Sequence, residues 1–280
     1  MPLSFEEALL GSANETAALL DKLLPLSATP ALRLIEAMRY AALGQGKRLR
    51  PFLVVETANL YDVPRERALR VGAALECVHC YSLVHDDLPA MDNDDLRRGN
   101  ATTHRAFDEA TAILAGDGLL TYAFEILSDP ATHPTADIRL QLVGGLARAA
   151  GMAGMVGGQM LDIEGVRGMQ DITHMQKLKT GALFRFACEA GAVLAQAEPA
   201  PLRRYADLVG LAYQIADDIL DRESTPAEQG KATFVELLGL QGAKTRAEAL
   251  VTAAIAALEP YGARAEMLRQ AARFVVGRGK

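Results

Sequence analysis

The sequence predicts an all-α fold, a large multi-helix bundle. Three observations point there. Alanine, leucine, glutamate and arginine dominate, all of them good helix formers. β-Branched runs of strand length are almost absent, and apolar residues recur with helical spacing along the whole chain.

In chain order, that spacing predicts helices over 5–24, 31–43, 49–60, 66–87, 106–127, 136–150, 171–196, 201–221, 231–239, 242–258 and 263–276. Between them lie Pro or Gly breaks such as Asp129-Pro130 and Glu198-Pro199-Ala200-Pro201. Stretches 140–160 and 181–197 are apolar nearly all round, which places them in the middle of the bundle. No linker or change of composition divides the 280 residues, so one domain, 1–280, with one large core is expected.

A net charge of −6 argues against a general nucleic-acid surface, so any phosphate ligand must be met locally. Apolar residues come in short runs broken by charges, and no run reaches the roughly 20 needed to span a membrane. The opening MPLSFEEALLGSANE carries acids where a targeting segment would carry basic residues, so a cytoplasmic protein is expected. Three cysteines argue for a reducing compartment. Cys77-Val78-His79-Cys80 is read as buried helix, because no second Cys pair exists to complete a zinc site.

Two acidic clusters carry the chemistry, and each ends an apolar helical run. In Asp217-Asp218-Ile219-Leu220-Asp221 the outer acids are four apart and share a helix face. Like charges so close repel unless a cation sits between them, and a few hard oxygen ligands suit Mg²⁺ that keeps waters and also binds substrate phosphates. In Asp86-Asp87-Leu88-Pro89-Ala90-Met91-Asp92 the outer acids are six apart, about 240° round a straight helix. Pro89 disfavours helix at Leu88, so the chain is expected to bulge and bring Asp92 back to Asp86. An EF-hand is excluded, because the central Gly is missing and Arg97 stands where its Glu would be.

With these clusters stand Gly46-Lys47-Arg48-Leu49-Arg50-Pro51, Leu75-Glu76 leading to His85-Asp86-Asp87, Asp95-Leu96-Arg97-Arg98-Gly99, Gly158-Gln159-Met160-Leu161-Asp162, Lys179-Thr180-Gly181-Ala182-Leu183 and Gln214-Ile215-Ala216-Asp217-Asp218. Together, in this order, they resemble the signatures of the trans-isoprenyl diphosphate synthase (polyprenyl synthetase) family over nearly the full length.

The resemblance implies a helical bundle around a deep central cavity with the two acid motifs facing each other across it. It implies a prenyltransferase that joins an allylic diphosphate to isopentenyl diphosphate. Asp86 and Asp92 would hold two Mg²⁺ and Asp217 a third, with Asp87, Asp218 and Asp221 orienting waters and ligands around them. Arg97, Lys179 and Lys231 would bind the allylic diphosphate, and Thr180 and Gln214 would face the allylic cation. Lys47, Arg50, His79 and Arg98 match the site for isopentenyl diphosphate. Tyr81 and Ser82, just before the first acid motif, match the positions that limit product length, and with the two-residue expansion of that motif they resemble bacterial members making the fifteen-carbon farnesyl product. A geranyl or geranylgeranyl product remains the alternative. A homodimer is the family expectation.

The motifs speak against two other functions. A terpene cyclase needs one substrate site, whereas the Lys47, Arg50 and Arg98 set implies a second diphosphate; a silent regulatory subunit would lose an acid cluster, and both are intact. The chain also departs from the family. Eight residues separate Asp221 from Gly230, leaving one Gly-Lys element, Gly230-Lys231, where most relatives carry two. Lys231 is therefore expected to carry a large share of allylic binding, with Arg222 or the basic Arg278-Gly279-Lys280 end as substitute cations.

Overall fold

A computed structural model gives the structure of the protein over residues 3–166, 168–224 and 233–277. Helix α1 (Phe5–Leu23) begins at a reciprocal cap. The Glu7 N–H donates to Ser4 Oγ at 3.2 Å and the Ser4 N–H to Glu7 Oε2 at 2.8 Å, which satisfies two amides the helix leaves orphaned. After it come α2 (Leu32–Leu43), α3 (Leu49–Asn59) and α4 (Arg65–Asp86). A small antiparallel hairpin follows, β1 (Leu96–Arg97) paired with β2 (Asn100–Ala101), Leu96 opposite Ala101. Then come α5 (Thr103–Ala106), α6 (Glu109–Ser128), α7 (Ala136–Ala150), α8 (Met155–Glu164) and α9 (Met169–Gln176). A π-helical turn, Lys177–Gly181, leads into α10 (Ala182–Leu194). Helices α11 (Ala200–Ser224), α12 (Phe234–Ala257) and α13 (Glu266–Gly277) complete the described chain.

The chain divides into two compact units, Met1–Val55 with Pro64–Val143, and Glu56–Val63 with Gly144–Lys280. In the first, α4 is central and packs against α1, α2 and α6. Every residue from Val71 to Val78 is buried, the signature of a helix surrounded on all sides. In the second unit α11 plays that part, packed on α10, α12 and α13. The Tyr205 hydroxyl, fully buried there, donates to the Leu268 carbonyl of α13 at 2.6 Å, so its polar end is satisfied.

The structure alters several expectations. Among the described residues α6 is the one helix long and apolar enough to cross a membrane by length and composition. It includes Glu109, Asp117 and Glu125, and it buries Ala112, Leu119, Ala123, Ile126 and Leu127 as a core helix against α4. The apolar stretch 140–160 is not one continuous helix: α7 ends at Ala150, the chain turns through 151–154, and α8 starts at Met155 as a separate helix. Predicted helix 171–196 is split by the π turn. The break expected between helices 231–239 and 242–258 is there as a kink within α12 at Gly239, whose φ of 68° is the left-handed region. The hairpin β1–β2 is a further element without a sequence expectation.

Candidate active site

The first acid motif lies in the first unit, at the end of α4. The expected bulge is there. After Asp87 the chain leaves the helix, Met91 and Asn93 return amide bonds to the Leu88 carbonyl (2.9 and 3.1 Å), and the Asp92 N–H donates to the Asp86 carbonyl at 2.8 Å. Pro89 forces that turn, and the backbones of the two outer acids end one hydrogen bond apart. Asp86 is half-buried and Asp92 exposed, whereas Asp87 is buried. Asp87 Oδ1 accepts from Arg97 Nε at 2.7 Å and from Nη2 at 2.5 Å. Burial pushes the Asp87 carboxyl above its ordinary value, and the Arg97 guanidinium offsets only part of that. The two acids of Asp86-Asp87 thus face different work: one toward solvent, one holding the hairpin.

The hairpin turn is Arg98-Gly99, with φ of 53° and 81°. Two consecutive left-handed residues make the tight turn whose twist suits paired strands, and an arginine there carries strain that an asparagine or glycine would not. Arg98 Nη1 donates to the Gln45 carbonyl at 2.5 Å, in the loop between α2 and α3. On the same unit Arg50 Nη1 lies 3.4 Å from His79 Nε2. His79 is held well below the usual imidazole value, first by burial and then by the guanidiniums of Arg50, Arg98, Arg48 and Arg97. It is therefore neutral near pH 7 amid those guanidiniums, which suits a place awaiting anion charge. Lys47 is exposed. The structure thus draws Arg50, His79 and Arg98 into one electropositive corner, with Lys47 on the adjoining loop.

Tyr81 is buried in α4 and meets the His85 ring edge-on, centroids 5.7 Å apart. Burial, then Asp86, push its phenol up to about 12, so it stays a neutral ring. Ser82 Oγ donates to the His79 carbonyl at 2.9 Å. Helical geometry puts Ser82 about 40° from Asp86 around α4 and Tyr81 about 140°.

The second unit holds the other motif on α11. Its neighbours form a hydrogen-bonded chain. Thr180 Oγ1 donates to Gln214 Oε1 at 3.1 Å, Gln214 Nε2 donates to Asp218 Oδ1 at 3.1 Å, and the Phe234 N–H at the start of α12 donates to Asp218 Oδ2 at 2.8 Å. Beside Thr180 in the π turn, Lys179 Nζ donates to Asp162 Oδ2 of α8 at 2.6 Å. An extra residue in the turn widens it and aims Lys179 and Thr180 out of the regular helical rows, a device common at functional sites. Gly158 makes room: a Cβ there would stand 2.2 Å from the Lys179 amide nitrogen. Gln159 Oε1 of the same helix is buried with no partner. From sequence Gly158 and Asp162 are visible only as members of a motif; the local signal for their roles is a glycine four residues before an acid on one helix face.

Lys231 and the Arg278–Lys280 end fall outside the described residues. Among the described residues, no three His, Cys, Asp or Glu side chains converge closely enough to enclose an ion. The donor set still fits Mg²⁺. Asp86 and Asp217 are only half-buried and Asp92 is exposed, leaving room for the waters and phosphate oxygens that Mg²⁺ prefers over an all-protein cage.

Comparison with known proteins decides the family. The profile described as Polyprenyl synthetase matches residues 32–238. The chain belongs to the polyprenyl synthetase family. It is 43% identical over 264 residues to the farnesyl diphosphate synthase of Escherichia coli K12, covering 88% of this chain and 87% of that protein. A farnesyl diphosphate synthase of Micrococcus luteus is 38% identical over 99% of this chain and 98% of its own. Among solved structures, an apo crystal structure of an FPP/GFPP synthase from Zymomonas mobilis matches with a TM-score of 0.93 and 50% identity, covering 97% of this chain and 99% of that one. As a polyprenyl synthetase the chain requires a divalent metal.

Proposed function

We propose that this polyprenyl synthetase is a farnesyl diphosphate synthase, adding isopentenyl diphosphate head-to-tail to dimethylallyl and then geranyl diphosphate. The observation that carries the reading is the run of contacts in the second unit that sets a cation, Lys179, beside two oxygen dipoles, Thr180 and Gln214, and ties both to the acid motif through Asp218. Ionising an allylic diphosphate needs metal ions and fixed cations around the diphosphate and oxygen dipoles at the carbon, and these residues supply the protein's part of that set.

Bound at Asp86, Asp92 and Asp217, three Mg²⁺ would neutralise the leaving diphosphate. Lys179, with Arg97 and Lys231, adds fixed positive charge as the allylic C–O bond breaks and its electron pair leaves with the diphosphate. The Thr180 hydroxyl and the Gln214 carbonyl turn oxygen toward the cation left behind, and Asp218 fixes the amide so that Gln214 Oε1 points that way. Lys47, Arg50, His79 and Arg98 hold the second diphosphate without metal, Arg by paired donors and Lys as a point charge. The double bond of isopentenyl diphosphate attacks the cation, and the proton then lost from the adjacent carbon goes to the departing diphosphate. Tyr81, with Ser82, closes the space for the tail at fifteen carbons.

We further infer that residues 1–280 work as one catalytic domain in the cytoplasm, and as a homodimer. The family profile running through both compact units supports the first, three buried free thiols support a reducing compartment, and the exposed Ile113 and Leu114 of α6 support a second copy. The test is diphosphate release with isopentenyl diphosphate alone, allylic diphosphate alone, and both, with Mg²⁺ or with chelator. Release only with both substrates and metal is expected. Hydrocarbon from the allylic substrate alone would mark a cyclase, and no release under any condition a silent subunit.

A further inference from the structure

We propose that Arg48 and Glu76 are the positioning pair of the isopentenyl diphosphate site, a role that rests on the assignment of Lys47 and Arg50 above. Three cations follow one another in Lys47-Arg48-Leu49-Arg50, and only Arg48 turns inward: Lys47 is exposed, Arg50 half-buried, and the Arg48 side chain 5% exposed. To do so its backbone takes a φ of 49°, a left-handed conformation disfavoured for a side-chain-bearing residue. Inside, both terminal nitrogens of its guanidinium find acceptors. Nη1 donates to Glu76 Oε1 at 2.5 Å, and Nη2 to the carbonyls of Ala42 and Gly44 at 2.6 and 2.7 Å. Those carbonyls close the end of α2, where the helix leaves its last acceptors orphaned.

The arrangement fixes the loop between α2 and α3 from within, and the Arg98 bond to the Gln45 carbonyl holds it from the other side. Glu76 sits one turn before His79 on the central helix α4, so neighbouring positions on one face meet neighbouring cations: Glu76 meets Arg48, and His79 meets Arg50 at 3.4 Å. Stability alone does not call for this. A buried ion pair is commonly matched or bettered by apolar side chains of like volume, whereas it fixes geometry they cannot. What Arg48 gives is a loop held in one place, with Lys47 outside and Arg50 against His79.

The experiment is steady-state kinetics with each substrate varied, on Arg48→Met/Glu76→Leu, Glu76→Asp, Lys47→Ala and Arg50→Ala, with circular dichroism on each. The double variant keeps an apolar-filled core and loses the anchor. It is expected to raise KM for isopentenyl diphosphate about tenfold while KM for geranyl diphosphate stays within about twofold. Glu76→Asp, which keeps the charge and shortens the reach, is expected to fall between. A native KM for isopentenyl diphosphate in the folded double variant overturns the proposal; should that variant not fold, a native value in Glu76→Asp does. Lys47→Ala and Arg50→Ala separate the two readings. If they raise that KM while the anchor variants do not, only the positioning role fails, and if they too leave it native, the site assignment itself fails.

Discussion

Gly158→Ala turns the close approach of α8 to the π turn into a measurable quantity. The added Cβ would lie 2.2 Å from the Lys179 nitrogen, 2.6 Å from its Cα and 2.8 Å from the Leu178 carbonyl carbon. All three are backbone atoms, so no side chain can swing aside. Ordinary contact begins near 3.4 Å, and opening the gap from 2.2 Å moves one backbone against the other by about 1.2 Å. Overpacking of that kind costs about 1–3 kcal/mol, which at about 2–4 °C per kcal/mol lowers the melting temperature by several degrees. The same shift pulls Lys179 from Asp162 and Thr180 from Gln214, whose bonds are 2.6 and 3.1 Å. A misplacement of about 1 Å in a catalytic group costs on the order of 100-fold in rate. Thermal denaturation and kcat on the purified variant are the assays. A Gly158→Ala protein with native melting and native kcat would show that the turn is not held as described.

Asp86→Ala or Asp217→Ala is expected to cut turnover by at least about 100-fold, with circular dichroism unchanged and metal-free stability equal or higher as like-charge repulsion is relieved. Tyr81→Ala is expected to lengthen the product beyond fifteen carbons, read by chromatography of the dephosphorylated alcohols, at about 3 kcal/mol of stability for truncating a buried ring; an unchanged product would put the floor elsewhere. His79 sets a pH dependence of stability. Its folded value lies well below the ordinary 6.5, so beneath that pH the unfolded chain binds a proton the folded one does not, and stability is lost as pH falls. Urea titrations between pH 7 and pH 5 should show that loss, flattened in His79→Gln.

The fold class was legible because helical spacing persists from end to end, and the bulge at Pro89 because proline restricts its predecessor. Other features carry no local signal. The π turn at Lys177–Gly181 lies in a run whose periodicity reads as plain helix; what selects it is the packing of α8, made possible by Gly158 twenty residues away. The Arg98-Gly99 turn belongs to strands of two residues each, too short for any alternation to register. Arg48 is adjacent in sequence to Lys47 and looks the same on paper, but burial against Glu76 separates their roles. The Thr180 to Gln214 bond joins residues 34 apart, a distance at which only a known family pattern pairs them.

The most direct test of the account is the product itself. Purified protein, Mg²⁺, geranyl diphosphate and excess isopentenyl diphosphate are incubated, and the organic diphosphates are separated and weighed by mass spectrometry. The account predicts farnesyl diphosphate as the main product, with one inorganic diphosphate released for each carbon–carbon bond formed. Recovery of both substrates unchanged, or of a cyclised hydrocarbon without uptake of isopentenyl diphosphate, would contradict it.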